Sequence, residues 1–153
     1  MAQNSIRVKN YLNIFEEMVA VAAITPGMLV EIDSAGEVQA HSAASGITLP
    51  MFALEDELQG NGITDAYSAD DQVQVWIPQR GDQVYAVLAD GESVAIGDFV
   101  VSNGSGALVK LDTVDSAAVA ELPNAIVGQC LEAVDLSDSA NLSATGRVII
   151  RII

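Results

Sequence analysis

QVQVWIPQRGDQVYAVL, residues 72–88, decides the fold class. Val73, Val75 and Ile77 alternate with Gln72, Gln74 and Trp76, the period of two that sends successive side chains to opposite faces of a strand. Pro78, Gly81 and Asp82 then supply turn chemistry, and a second strand follows over Val84–Leu88. Outward from this pair, Ile126–Leu131 and Arg147–Ile153 read as further strands rich in β-branched residues. In the last of these, Val148, Ile150 and Ile152 share one face, and Arg147, Ile149, Arg151 and Ile153 the other. An edge so apolar invites aggregation, so this strand is expected to be paired. The pattern predicts an all-β protein.

An internal repeat supports the same reading. ITPGMLVEIDSAGEV (24–38) aligns without a gap on VAIGDFVVSNGSGAL (94–108) at a constant offset of 70 residues. The agreements are Ile24/Val94, Gly27/Gly97, Leu29/Phe99, Val30/Val100, Asp33/Asn103, Gly36/Gly106 and Val38/Leu108. Each copy reads as a glycine entering a strand, an Asp or Asn able to hydrogen-bond its own backbone, a glycine suited to positive φ, and a returning strand. Two similar hairpins are expected, from duplication or from a shared structural need.

The connecting stretches are polar. Residues 1–13 lack a helix cap and read as an extended arm, with a helix over Leu12–Val21 as the alternative, since Leu12, Phe15 and Val19 share a helical face. Residues 41–71 form a long excursion of the kind that often carries contacts, and Asp112–Glu121 suggests a short helical turn. The organisation expected is an N-terminal arm and entering segment over 1–23 and one β-domain over 24–153.

Composition sets limits on function. A chain of 153 residues, half of them hydrophobic and 18% charged, can pack one core and is too apolar to be disordered. Six basic against 21 acidic residues give a formal −15, which repels phosphate backbones and argues against nucleic acid. Arg7, Lys9, Arg147 and Arg151 lie in the terminal segments, so the middle sets all 21 acids against Arg80 and Lys110, a formal −19. Basic ends on an acidic body suggest termini that reach toward a negative surface, a neighbouring copy or another protein, although solvated tails would read the same way. The longest apolar runs fall well short of the roughly 20 residues of a membrane span. Asn10, Asn13, Glu16 and Glu17 interrupt what a signal peptide would keep apolar, so synthesis in the cytosol is expected. Cys130 stands alone, which excludes an internal disulfide, and its place among apolar residues predicts a buried thiol.

Catalytic patterns are missing. His41 lies in a Ser/Ala-rich stretch and reads as a solvated loop histidine rather than a base or metal ligand. No nucleophile elbow exists, and Gly60-Asn61-Gly62 has neither the spacing nor the flanking elements of a nucleotide loop. The acid clusters Glu55-Asp56-Glu57 and Asp70-Asp71 lack the alternating spacing of a calcium loop. Neither an enzyme, a cofactor nor a metal site is expected.

The order of the segments resembles the capsid decoration, or cement, proteins of tailed bacteriophages. The resemblance runs through RVKNYLNIFEEMVAVAAITPGMLVEI, MFALEDELQGNGITDAY, VQVWIPQRGDQVYAVLADGESVAIGDFVV with SNGSGALVKL, and AIVGQCLEAVD with GRVIIRI. It implies a compact β-barrel or β-tulip domain with an extended arm. It further implies a homo-oligomer, usually a trimer, on the outer surface of the virion head, where it binds the major capsid protein and stabilises the shell by bridging subunits. On this reading Ile6, Arg7, Val8, Lys9, Tyr11 and Leu12 of the arm contact the capsid or the next copy, with the apolar positions buried only on docking. Met51, Phe52 and Leu54 are expected in the oligomer interface. The alternative is a carbohydrate-binding β-module in which Trp76 and the tyrosines Tyr11, Tyr67 and Tyr85 form a sugar platform.

Overall fold

The structure, a computed structural model, describes residues 3–111, 124–138 and 146–153. The expected turn at 112–121 lies outside the described residues. Among these, the chain is all-β, with a 3-10 turn at Glu57–Gln59. No helix among them is long and apolar enough to cross a membrane.

The strands fall into two units of the same topology. The first holds β2 (Phe15–Val19), β3 (Val30–Ile32), β4 (Val38–Ala40), β5 (Phe52–Ala53) and β6 (Gln72–Trp76). The second holds β7 (Gln83–Val87), β9 (Phe99–Ser102), β10 (Leu108–Lys110), β11 (Gly128–Cys130) and β13 (Arg147–Ile152). β1 (Arg7–Lys9) precedes them, and β8 (Ser93–Val94) pairs with β12 (Val134–Asp135). Sheet order in the second unit is β7-β13-β11-β9-β10. In the first it is β2-β6-β5, continued into β3-β4 by the bridge between Leu29 and Phe52. A parallel bridge then links the two ends of each series, Ala20 to Val38 in one and Leu88 to Leu108 in the other. Each of these is a single bridge and not a ladder, so each unit is a curled sheet whose ends touch at one point rather than a barrel closed by paired strands.

The hairpins of the sequence repeat coincide in register and in turn chemistry. Val30 faces Ala40 and Ile32 faces Val38, as Val100 faces Lys110 and Ser102 faces Leu108. Oδ1 of Asp33 accepts from the amides of Ala35 (2.8 Å) and Glu37 (2.9 Å); Oδ1 of Asn103 accepts from those of Ser105 (2.7 Å) and Ala107 (3.1 Å). Gly36 and Gly106 take φ of 83° and 79°, left-handed values that explain the glycines. The equivalence extends beyond the aligned residues, because Gly27 N donates to Ala53 O and Gly97 N to Cys130 O, at 2.8 and 2.9 Å.

The cores are equivalent too. Ala20, Ile24, Val30, Val38, Ala53, Tyr67, Val73 and Val75 fill the first unit, and Leu88, Val94, Val100, Leu108, Cys130, Val134, Val148 and Ile150 take the matching places in the second. Strand alternation sends Leu29, Phe52, Leu54 and Trp76 to the opposite face of the first sheet, where they pack on the second unit. Their counterparts Phe99, Gln129 and Arg151 are exposed or half-buried, so the stacking ends at two units. Trp76 is wholly buried, which corrects the expected sugar platform: its ring has no face to offer. Arg147 is also buried and Nη2 donates to the carbonyls of Pro26 (3.0 Å) and Ile63 (2.5 Å), so it ties the units together instead of reaching outward.

Candidate functional site

The arm is extended, as expected, and most of it is built into the fold. β1 lies antiparallel on β7, with Arg7 facing Val84 and Lys9 facing Gln83. Ile6 is fully buried in the core; its amide donates to both carboxylate oxygens of buried Glu55 (3.3 and 3.2 Å), and its carbonyl accepts from Tyr85 N (2.8 Å). Tyr11 N donates to Oδ1 of Asp82, a wholly buried carboxylate that also accepts from Gln79 N (2.9 and 2.8 Å). Two buried acids therefore clamp the arm at both ends, consistent with the rule that buried charge needs hydrogen-bonding partners. The expectation that Ile6 is buried only on docking is corrected, since its side chain already completes the core.

Beyond Lys9 the chain turns outward. Tyr11 (66% exposed), Leu12 (58%), Ile14 (41%) and Phe15 (44%) form a run of uncovered apolar side chains. The Arg7 guanidinium sits 4.9 Å from the Phe15 ring centre and Lys9 Nζ 5.5 Å from that of Tyr11, so the ridge is both basic and aromatic. Val8 is half-buried. Ridges of this composition suit a protein interface, where aromatic and Arg side chains concentrate. Arg7, Lys9, Tyr11 and Leu12 are therefore brought together on one surface, with Ile14 and Phe15 added to them by the structure. Sequence reading missed those two because they lie beyond the arm, in the stretch where a helix over Leu12–Val21 stood as the alternative to extended structure.

Met51, Phe52 and Leu54 are not on any surface. Phe52 and Leu54 fill the core between the units and Met51 that of the first unit, which corrects their placement in an oligomer interface. The excursion is apolar here because β5 runs through the middle of the molecule.

Two polar clusters complete the inventory. Asp56, Asp65, Asp70 and Asp71 surround a hollow of about 270 Å3 beside Tyr67, whose phenol is pushed up to about 12 by burial. The carboxylates of Asp56, Asp65 and Asp71 cap local amides of Gln59, Gly62 and Ser68, and among the described residues no group of three or more His, Cys, Asp or Glu is arranged to hold a metal. His41 is buried rather than solvated: Nδ1 lies 2.8 Å from Ser102 Oγ, and Nε2 lies 2.8 Å from Thr48 Oγ1 and 3.6 Å from Glu31 Oε2. Ser102 is itself fully buried, so this constellation braces structure and presents no nucleophile to solvent. Burial pushes the Cys130 thiol up to about 11, helped by Asp98 and Glu132.

Fold and surface together define a duplicated all-β domain with a strand added to its second unit and a basic aromatic ridge at that strand's exit. No protein-family model and no curated protein matches the chain. Among solved structures, it is similar to the crystal structure of the N base of head fiber gp8.5 in bacteriophage phi29, with a TM-score of 0.58 at 13% identity over 93% of this chain and 95% of that one. The likeness is one of fold.

Proposed function

We propose that the protein is a structural component of a tailed-phage virion that binds the outside of the assembled head and stabilises it by bridging major capsid protein subunits, as a homo-oligomer, with a trimer favoured. The observation that carries this reading is the end-to-end fold likeness to the base of a phage head fibre. The segment resemblance to capsid decoration proteins points the same way. A formal −15 suits an outward-facing shell protein, which then does not compete for packaged nucleic acid. The ridge of Arg7, Lys9, Tyr11, Leu12, Ile14 and Phe15 supplies a contact surface that needs no refolding of the domain. Binding only the assembled shell lowers its free energy by mass action, and an oligomer touching several subunits adds effective concentration.

Analytical ultracentrifugation of the purified protein, followed by cosedimentation with expanded heads lacking it, tests the proposal. A stable oligomer that pellets with heads is expected; a monomer left in the supernatant overturns it.

A further inference from the structure

The two units differ at one edge. In the second, the outer edge of β7 is covered: Tyr85 N donates to Ile6 O of the β1 segment (2.8 Å) and Val87 N to Gly27 O (2.9 Å). The equivalent strand of the first unit is β2, which pairs with β6 as β7 pairs with β13; Phe15 to Val19 take the places of Gln83 to Val87. Ile14 and Ala20 direct their backbone groups to β6 and its flank, with Ile77 N donating to Ile14 O and Ala20 N to Asp71 O (3.0 and 2.9 Å). Alternation therefore points the amides of Glu17 and Val19 away from β6. Neither donates a hydrogen bond to a described residue, although the amides of their counterparts Tyr85 and Val87 both do. An open hollow of about 370 Å3 is lined by Phe15, Glu16 and Glu17 of β2 and, across the ladder, by Gln74 of β6.

We infer that the free edge of β2 over Phe15–Val19 is a strand-addition site, which takes an extended, Lys- or Arg-bearing segment of the capsid shell in the position β1 occupies on β7. This rests on the head-binding reading above and names the contact it uses. Main-chain pairing supplies affinity at such an edge and side-chain pairs supply specificity. Exposed Glu16 and Glu17 favour a basic strand, and Phe15 and Ile14 add apolar area beside them. A second copy is the poorer occupant: it carries a formal −15, and its basic strand β13 is paired on both sides within its own sheet.

The experiment uses the full chain, expanded heads lacking it, and two variants. Glu17→Pro removes the outward amide without touching the β6 ladder, a position where an edge strand tolerates proline. Glu16→Lys combined with Glu17→Lys reverses the charge and keeps the amides. The expectation is that head occupancy falls about tenfold or more for both variants, that each melts near the wild type, and that amide exchange over residues 14–20 slows when the wild type is bound. Wild type that binds heads while Glu17→Pro binds equally, with exchange over 14–20 unchanged, overturns the strand-addition site and leaves head binding standing. Slowed exchange that follows protein concentration without heads assigns the edge to a second copy and overturns the capsid occupant. Wild type that ignores heads overturns both readings.

Discussion

Nδ1 of His41, which follows the first hairpin, lies 2.8 Å from Oγ of Ser102, the last residue of β9 in the second. Ser102 Oγ also accepts from Gly104 N (3.0 Å), and on the other side of the ring Thr48 Oγ1 and Glu31 close the cluster. One imidazole thus joins both copies of the repeat to the loop that leaves the first.

Replacing His41 by Ala is expected to destabilise the protein by about 2–4 kcal/mol, because it opens a cavity and strands a buried hydroxyl. Urea unfolding measures it; a loss within the error of the extrapolation contradicts the bracing role.

Acid should weaken the same cluster. Partial burial disfavours charge on Glu31, but hydrogen bonds from Ser42 and Gln39 and the neighbouring His41 prevail and hold its carboxyl below the ordinary 4.5; Lys110 and the Ala95 amide do the same for Asp98. A carboxylate lowered in the folded state contributes stability that is full above its unfolded value and is lost as pH falls through its folded one. Melting temperature is therefore expected to drop as pH falls below 4.5, and less steeply in Glu31→Gln. Parallel profiles for the two proteins would contradict the assignment.

Duplication makes a symmetric prediction. Asp33→Ala and Asn103→Ala each remove two hydrogen bonds to turn amides, and each should cost about 1–2 kcal/mol, additively, because the turns share no partner. Chemical denaturation of the two single variants and the double variant checks both statements.

Cys130 occupies the place that Ala53 fills in the first unit. A thiol reagent should leave it unmodified in the native protein and label it on unfolding, as burial and a pKa of about 11 require. Rapid native labelling would show that the second core opens.

Ile6→Ala separates anchoring from docking. Because Ile6 completes the core, the substitution should cost about 2–4 kcal/mol of folding stability, whereas Leu12→Ala, on the exposed ridge, should leave the melting temperature within a degree or so and weaken head binding. Calorimetry on both variants distinguishes the two roles.

The strands and hairpins were legible because alternation and an Asp or Asn followed three residues later by Gly are local signals, and 24–38 with 94–108 kept both. The rest of the duplication was hidden, since strands such as β5 and β11 match in pairing while Phe52 corresponds to Gln129, a core residue to a half-buried one. Burial of His41, Trp76 and Arg147 was equally illegible: each depends on which unit packs over it, and strand period alone assigns a face without saying what covers that face. The basic arm was found, but its anchors Glu55 and Asp82 are distant in sequence and carry no local mark.

Thermal melting of expanded heads with and without the purified protein tests the central claim most directly. The account predicts that the protein pellets with the heads and raises the temperature at which they rupture. Heads that melt identically, with the protein left in solution, would contradict it.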